Sequence, residues 1–137
     1  MSDPETQTFV QSWFRYAHED LSAARATSVA ARIRCFHAQQ AAEKALKGAL
    51  TFLAIEAPRR HDLNYLSGLL PAAWATRQPA TELEWLTRWA LDQRYPGDAP
   101  DATESDAERA LGLATTIVEG LRGCLVATGA DQPGDAT

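Results

Sequence analysis

The sequence predicts an all-α fold, an up-and-down bundle of four to five helices joined by short loops. Apolar residues recur at spacings of three and four along the 137-residue chain, and no segment alternates apolar and polar residues as a strand would. Hydrophobic residues make up 45% of the chain and charged residues 23%, which is typical of a globular protein. This length supports a single core, so we expect one domain over residues 1–128 and a disordered tail over 129–137.

The second predicted helix is the longest element, and we expect it to form the spine of the fold. Residues 4–25 place apolar side chains on one face, behind a capping aspartate and a proline. A second helix is expected from a cap at Ser28 to about Ile55, since this stretch holds no proline and a single glycine, Gly48. A glycine inside a helix costs about 1 kcal/mol relative to alanine, so we expect another helix to approach closely at Gly48.

Three further helices follow a break at Pro58. Asp62 is expected to cap the third helix, which Pro71 disturbs near its end. Residues 81–84 match a capping box and predict the start of a fourth helix that continues to about Asp92. The last helix is expected to begin near Thr103.

Composition excludes several classes of protein. No apolar run approaches the roughly 20 residues of a membrane-spanning helix, and residues 1–5 are acidic where a signal peptide would be basic and then apolar. We therefore expect a soluble, cytoplasmic protein with no membrane partner. Cys35 and Cys124 lie within apolar helical patterns and lack metal-binding spacing, so we expect buried thiols and neither a disulfide, a metal site nor a cofactor.

Charge is distributed unevenly along the chain. The net charge of −5 argues against a protein that binds duplex DNA by broad phosphate neutralisation. Residues 25–60 nevertheless carry seven basic and two acidic side chains, which is a local footprint for a phosphate-bearing partner. The alternative is a solvated helical face balanced by the acidic last helix, and charge alone favours this alternative.

A polar stripe runs along the second predicted helix beside an apolar stripe. Helical spacing aligns Phe36, Gln40, Glu43 or Lys44, Lys47 and Thr51. Amide and ammonium groups beside an apolar face suit either a buried polar network or a phosphate site. Spacing alone favours the network or a solvated face.

Three blocks of sequence carry a family resemblance. They are the run FHAQQAAEKALK at residues 36–47, the triplet His61-Asp62-Leu63, and the triplet Arg94-Tyr95-Pro96. In this order, they resemble the HEPN (higher eukaryote and prokaryote nucleotide-binding) domain family, from about Trp13 to Ala127. The resemblance implies a helical bundle that dimerises about a two-fold axis. It also implies a frequent genetic neighbour, a minimal nucleotidyltransferase, and members described as nucleotide binders or RNase toxins.

One motif of the resembling ribonucleases is missing. These enzymes carry an arginine and, four to six residues later, a histidine, late in the bundle, whereas no histidine follows Arg94 here. Arg32 and His37 have that spacing, but they lie early in the chain and their side chains point about 140° apart on a helix. We interpret this pair as coincidental within one chain, although a dimer could bring Arg32 of one chain near His37 of the other.

His61 is the other catalytic candidate. Imidazole titrates near neutrality, so His61 could act as general acid or base on an RNA phosphodiester, with Arg59 and Arg60 stabilising the developing charge. The alternative is that His61 and Asp62 only cap the third helix.

Arg94 and Tyr95 permit two interpretations of equal weight. Arg94 could bind phosphate in a pocket with Lys47, or Pro96 could simply end the fourth helix while Tyr95 packs on the core. The ligand-binding candidates are therefore Gln40, Lys44, Lys47, Arg60, His61, Arg94 and Tyr95, and the catalytic candidates are His61, His37 and Arg32.

Three functions remain compatible with the sequence. The first is a dimeric module that binds a nucleotide or nucleotide-bearing partner, such as RNA, and works with a separately encoded nucleotidyltransferase in a toxin–antitoxin-like pair. The second is a metal-independent endoribonuclease toxin that uses His61 or His37 with arginines, and the third is a purely structural dimer. The missing late motif favours the first over the second. A homodimer is expected because four aromatic residues exceed what one small bundle readily covers: Trp13, Phe14, Trp85 and Trp89.

Overall fold

A computed structural model describes residues 3–90, 97 and 100–129 of the chain. Its α-helices are α1 (Pro4–Arg25), α2 (Ala31–Phe52), α3 (Leu63–Gly68), α4 (Ala80–Thr87) and α5 (Glu104–Ala127), with 3₁₀ turns at Ala72–Trp74 and Arg88–Ala90. These residues contain no strand, so the predicted all-α bundle is confirmed. The predicted bounds of the first helix are also confirmed. Of the predicted tail, only Gly129 is described.

Helix α2 is the spine of the bundle, as predicted, but the prediction that it is the longest element is wrong, because α2 has 22 residues and α5 has 24. It packs chiefly against α1 on one side and α5 on another. More than half of its residues are buried, and many of these are alanines, whose small side chains let the neighbouring helices approach closely. The buried alanines of α2 are Ala31, Ala38, Ala41, Ala42, Ala45 and Ala49.

The long helices are held in fixed directions by contacts along α2. Helix α1 is antiparallel to α2, because Ala24 lies beside Arg34 while Phe14 lies beside Gly48. Helix α5 begins at the same end of α2, where Arg34 contacts Glu104. The segment between α2 and α5, which carries the short helices, therefore returns the chain to the start of α2.

Gly48 marks the closest approach of α1 to α2. A Cβ atom at this position would lie 2.8 Å from Cε2 of Phe14 and 2.9 Å from Cβ of Trp13. Real Cβ atoms essentially never show contacts under 3.0 Å, so no side chain fits here without displacing α1. The predicted close approach at Gly48 is confirmed.

Arg34 joins three helices from a buried position, with its side chain 1% exposed. Its Nε donates to the carbonyl of Ala24 at 2.8 Å, and its two terminal nitrogens donate to Glu104 at 2.8 Å and Glu108 at 2.9 Å. A guanidinium suits this role because its donors diverge in a fixed plane. Arg34 is therefore a structural residue and not part of a phosphate-binding surface.

The predicted ends of α2 are wrong in both directions. The helix begins at Ala31 with no side-chain cap, so Ser28 does not cap it; residues 26–30 instead reverse the chain between two antiparallel helices. It ends at Phe52 and not near Ile55, because Ala54 adopts a φ of 59° and the Ile55 N–H donates to the Leu50 carbonyl at 2.9 Å. This left-handed termination usually employs glycine, so no local pattern in the chain predicts it.

The shorter helices show which capping signals were correct. Asp62 caps α3, as predicted, since its Oδ1 accepts the Tyr65 N–H at 3.1 Å. The predicted capping box over residues 81–84 is wrong, because Pro79 precedes the first helical residue and α4 already includes Thr81. The predicted continuation of this helix to Asp92 lies partly outside the described residues.

The last helix and the cysteines complete the fold. Among the described helices, α5 is long and apolar enough to cross a membrane, but seven of its residues are buried within the bundle. Both cysteines are free thiols. Cys35 is buried as predicted, and burial raises the pKa of its thiol to about 12. Cys124 on α5 is only half-buried.

Candidate functional site

The polar stripe of α2 divides into two clusters on adjacent faces of the helix. The first, the Glu43 cluster, connects α2 with the residue before the α3 cap and consists of Gln39, Gln40, Glu43, Lys47 and His61. The second, the Asp20 cluster, connects α2 with α1 and consists of Asp20, His37 and Lys44. Each cluster is organised around one carboxylate.

Glu43 is 5% exposed and accepts three hydrogen bonds. Its Oε1 accepts from Gln39 Nε2 at 3.0 Å and lies 2.9 Å from His61 Nδ1, and its Oε2 accepts from Lys47 Nζ at 2.8 Å. Gln39 and Lys47 are each four residues from Glu43, so α2 itself aligns them. His61 closes the cluster from outside the helix.

The charge state of Glu43 follows from these donors. Burial raises the pKa of the Glu43 carboxyl, but the hydrogen bonds from Lys47, Gln39 and His61 and the charge of Lys47 together lower it further, so the net pKa lies below its ordinary value. Glu43 is therefore ionised at neutral pH. An ionised carboxylate is acceptor-only, so His61 Nδ1 carries a hydrogen and donates it to Glu43.

The remainder of His61 is open to solvent. Its side chain is 55% exposed, and Nε2 has no partner in the described part of the chain. In the neutral ring Nε2 is then an acceptor, and in the protonated ring it is a free donor. Asp62 caps α3, as the second interpretation expects, whereas the described contact of the His61 ring is with Glu43 and not with the start of this helix.

Two glutamines of α2 hold the backbone of His61, Gln39 directly and Gln40 through Gln39. Gln39 Nε2 also lies 3.3 Å from the carbonyl of His61, and Gln40 Nε2 donates to Gln39 Oε1 at 2.7 Å. Backbone and ring of His61 are thus both held by α2. Lys47 is mostly buried and bound to Glu43, so its ammonium is part of this network and not an open cation.

Exposed cations lie directly before His61 in the chain. Arg59 is exposed and has no ion pair among the described residues. The Arg60 side chain is half-exposed, and its Nη2 lies 3.7 Å from Asp62 Oδ2. The Glu43 cluster and residues 59–62 together hold three cations, Lys47, Arg59 and Arg60, and two carboxylates, Glu43 and Asp62, which is a small excess of positive charge.

The Asp20 cluster is a second, separate arrangement. Asp20 is buried, with His37 Nδ1 at 2.8 Å from one carboxylate oxygen and Lys44 Nζ at 2.6 Å from the other. These bonds tie α1 to α2. Arg32 is exposed near the start of α2 and makes no contact with His37 within the described chain, so the structure does not bring this predicted pair together.

The predicted site residues are therefore partly assembled. Lys47 and His61 meet at Glu43, and Gln40 is linked to it only through Gln39. Arg60 is adjacent to His61 in sequence, whereas Lys44 faces Asp20. Arg94 and Tyr95 lie outside the described residues, so a pocket formed by Lys47 and Arg94 stays a prediction.

Sequence reasoning missed the centres of both clusters. Glu43 entered only as a member of the polar stripe, and Gln39 and Asp20 were not singled out. The spacing of Gln39, Glu43 and Lys47 at four-residue intervals was the available signal for the first cluster. Among residues 3–90, 97 and 100–129, no group of His, Cys, Asp or Glu could hold a metal ion.

Comparisons with known proteins identify relatives of this bundle. The sequence model of the HEPN domain family matches residues 10–124 of this chain. The crystal structure of TT1696 from Thermus thermophilus is similar with a TM-score of 0.71 and 28% identity, covering 83% of this chain and 96% of that one. ST0689, described as an archaeal HEPN homologue, is similar with a TM-score of 0.63 and 31% identity, covering 85% of this chain and 97% of that one. No curated protein matches the sequence.

Proposed function

Because the chain belongs to the HEPN domain family, we propose that it is a dimeric module that binds a nucleotide or a nucleotide-bearing partner. One observation carries the proposal. A buried carboxylate, Glu43, holds one nitrogen of His61, whose side chain is otherwise half-exposed, and two exposed arginines directly precede His61 in the chain. Such an arrangement presents a positioned imidazole and guanidinium groups to an anionic ligand.

The chemistry of the cluster suits a phosphate group. When His61 is protonated, both ring nitrogens donate, one to Glu43 and the other to a phosphate oxygen. Arg59 and Arg60 can add charge-assisted hydrogen bonds, which are about twice as strong as neutral ones. Glu43 contacts the ring of His61 and Gln39 contacts its carbonyl, so the residue is held in one orientation before the ligand binds. This lowers the entropic cost of binding.

Calorimetric titration with ribonucleoside mono- and diphosphates tests this site. The wild type is expected to bind, and His61→Ala or Arg59→Ala should weaken binding roughly tenfold to a hundredfold, because each removes a charge-assisted contact worth about 1.5–3 kcal/mol. His18→Ala is the matched control, since His18 is a partly exposed histidine on α1 near Glu119. Wild-type protein that binds no nucleotide, or affinity unchanged in His61→Ala, contradicts the proposal.

The predicted pocket of Lys47 and Arg94 extends the same experiment. Arg94→Ala should weaken nucleotide binding if this arginine contributes a phosphate contact next to the Glu43 cluster. Lys47→Ala should weaken binding through loss of the Glu43 network. If both variants bind as the wild type does, the phosphate contacts lie elsewhere.

The module is further proposed to act with a protein partner. The family resemblance supports a separately encoded minimal nucleotidyltransferase and a toxin–antitoxin-like pair. Composition and net charge support a cytoplasmic location with no membrane or duplex DNA as a partner. A small nucleotidyltransferase gene beside this one, whose product co-purifies with the chain, is the expected result. A genomic neighbourhood without such a gene weakens the pairing.

A second candidate function is a metal-independent endoribonuclease, and the geometry of His61 favours it over other enzyme classes. A carboxylate that orients an imidazole through Nδ1 is how catalytic histidines are commonly held. Cleavage of a phosphodiester also needs a second acid–base group, and the described residues place one imidazole in this cluster. We therefore rank binding above catalysis.

An RNase assay in EDTA separates the two candidates. We expect no activity above that of the triple variant His18→Ala, His37→Ala, His61→Ala, which controls for contaminating nuclease. Activity lost in His61→Ala reverses the ranking. Loss in His37→Ala together with Arg32→Ala assigns catalysis to that pair, across a dimer interface.

A further inference from the structure

Two side chains, Arg60 and Tyr65, form a cation–aromatic pair close to His61 in the chain. The Cζ atom of Arg60 lies 4.0 Å from the centroid of the Tyr65 ring. This distance is well inside the range of about 6 Å for a cation over an aromatic face. The guanidinium therefore covers one face of the tyrosine.

Asp62 contacts both members of this pair. Its Oδ1 accepts the backbone N–H of Tyr65 at 3.1 Å, and its Oδ2 lies 3.7 Å from Arg60 Nη2. The first contact is a hydrogen bond that positions the tyrosine backbone, and the second is an ion pair longer than a hydrogen bond. One carboxylate therefore lies next to both the tyrosine and the guanidinium.

The pair is accessible and close to the imidazole. Half of the Arg60 side chain and 39% of Tyr65 are exposed. Arg60 and His61 are consecutive residues, so their Cα atoms are about 3.8 Å apart, which is well within the dimensions of one nucleotide. Proteins that recognise unpaired bases stack them on aromatic rings or on guanidinium planes.

We infer that Arg60 and Tyr65 form a stacking platform for an unpaired nucleobase whose phosphate contacts His61. The inference rests on the proposed function and specifies its ligand class, a nucleotide unit with an accessible base, either free or within single-stranded RNA. A phosphate compound without a base cannot use the platform. A base pair within a duplex is stacked on its neighbours and cannot use it either.

The chain contains an internal comparison for this pair. On α1, Arg15 lies 5.0 Å from the centroid of the Tyr16 ring, and both residues are exposed. Arg15 also pairs with Glu19 at 3.7 Å. This second arginine–tyrosine pair lies on α1 and outside the Glu43 cluster, so a substitution there controls for loss of an exposed tyrosine.

Calorimetry with two matched ligands tests the platform. The four ribonucleoside 5′-monophosphates and ribose 5-phosphate share the phosphate but differ in the base. We expect the wild type to bind the monophosphates about fivefold to a hundredfold more tightly than ribose 5-phosphate, the range typical of stacking one base. Tyr65→Leu should remove this preference and leave ribose 5-phosphate binding unchanged, whereas Tyr65→Phe and Tyr16→Leu should retain it.

A fluorescent base identifies the source of the nucleotide. A 2-aminopurine in a single-stranded hexaribonucleotide should be quenched on binding to the wild type and not to Tyr65→Leu, while the same strand in a duplex should not respond. Tight binding of monophosphates without binding of the hexamer assigns the platform to free nucleotides. Tighter binding of the hexamer assigns it to single-stranded RNA.

Failure of the inference differs from failure of the proposed function. Equal affinities for monophosphates and ribose 5-phosphate, with His61→Ala weakening both, overturn the stacking platform and leave the phosphate site standing. No binding of any of these ligands overturns both. Unfolding midpoints of the variants, measured in parallel, show whether a loss comes from the surface or from the fold.

Discussion

Glu43 combines burial with a negative charge, and its donors make this combination stable. Lys47, Gln39 and His61 occupy both carboxylate oxygens. A buried carboxylate without such partners would bind a proton, because desolvation disfavours the charged form. The same bonds fix the outward nitrogen of His61, so the stability of Glu43 and the geometry of the candidate site depend on the same contacts.

Glu43→Gln should make stability less dependent on pH. The pKa of Glu43 in the folded protein is lower than its ordinary value of 4.5, so the ionised carboxylate stabilises the fold above that pH, and this contribution is lost as the pH falls through the lowered pKa. We expect Glu43→Gln to cost about 1.5–3 kcal/mol at pH 7. The difference from wild type should shrink progressively below pH 4.5.

Urea unfolding at pH values from about 7 to about 3 checks this prediction, because the ordinary pKa values of carboxyl groups lie within this interval. Glu84→Gln is the control, because Glu84 is an exposed glutamate on α4. A difference between wild type and Glu43→Gln that stays constant over the whole range would show that the charge of Glu43 does not stabilise the fold.

The two cysteines should react at very different rates. Burial raises the pKa of Cys35 to about 12, and only the thiolate reacts with disulfide reagents or maleimides. Cys124 is half-buried on α5. In the native protein we expect Cys124 to be labelled first and Cys35 only after unfolding, as intact mass measurements on Cys124→Ser and Cys35→Ser would report. Rapid labelling of native Cys124→Ser contradicts the burial of Cys35.

At the scale of elements, the contact between α1 and α2 is limited by a single residue. Gly48 lets the backbone of α2 lie against Trp13 and Phe14. The glycines of α5 serve no such purpose, because a Cβ at Gly112 or Gly120 would meet nothing within 4 Å. The same substitution is therefore expected to have opposite effects in the two helices.

Gly48→Ala should destabilise the protein by about 1–3 kcal/mol, because overpacking the helix contact outweighs the roughly 1 kcal/mol gained in helix propensity. Gly112→Ala should instead stabilise it by about 0.5–1 kcal/mol. Denaturant midpoints of the two variants give the comparison. Equal stabilisation by both would mean that α1 moves aside at no cost.

At the scale of the whole molecule, internal ion pairs neutralise several of the basic side chains in residues 25–60. Arg34 is bound by Glu104 and Glu108, Lys44 by Asp20, and Lys47 by Glu43. Three arginines of this segment have no ion pair among the described residues: Arg25, Arg32 and Arg59. Arg25 and Arg32 lie near the start of α2 and Arg59 follows its end, so these charges do not line one surface as phosphate contacts along a duplex would require.

The aromatic residues that are exposed in the structure are not the four on which the sequence-based prediction of a homodimer was built. Phe14 is buried in the core, and Trp13, Trp85 and Trp89 are partly covered by the chain itself. The exposed aromatic residues of α1 are Phe9, at 54% exposure, and Tyr16, at 44%. They lie seven residues apart on one face, so this face of α1 is the proposed contact between two copies.

Light scattering at micromolar concentration should give twice the 14.9 kDa mass of the chain. Phe9→Glu should shift the protein towards the monomer, because it places a charge within the proposed apolar contact. Val126→Glu is the control, since Val126 is another exposed hydrophobic residue, on α5. A wild-type mass near 14.9 kDa rules out the dimer, and an unaffected Phe9→Glu dimer moves the interface elsewhere.

Local sequence patterns are sufficient to predict the fold class, the family and most of the helices. Apolar periodicity is a local property of the chain, and so are the caps at Asp3, Asp62 and Thr103, each of which binds a backbone N–H three residues ahead. These signals depend on neighbouring residues alone. They can therefore be read without knowledge of the tertiary structure.

Tertiary packing, by contrast, sets the end of α2 and the role of its polar stripe. Ala54 adopts a left-handed conformation that costs an alanine about 1–2 kcal/mol, so the local sequence disfavours it and the surrounding fold must supply the compensation. Glu43 and His61 are separated by 18 residues, and Asp20 and His37 by 17. Such pairs form only after the helices and loops are positioned by burial of their apolar faces, which is why spacing identified the stripe and packing assigned its partners.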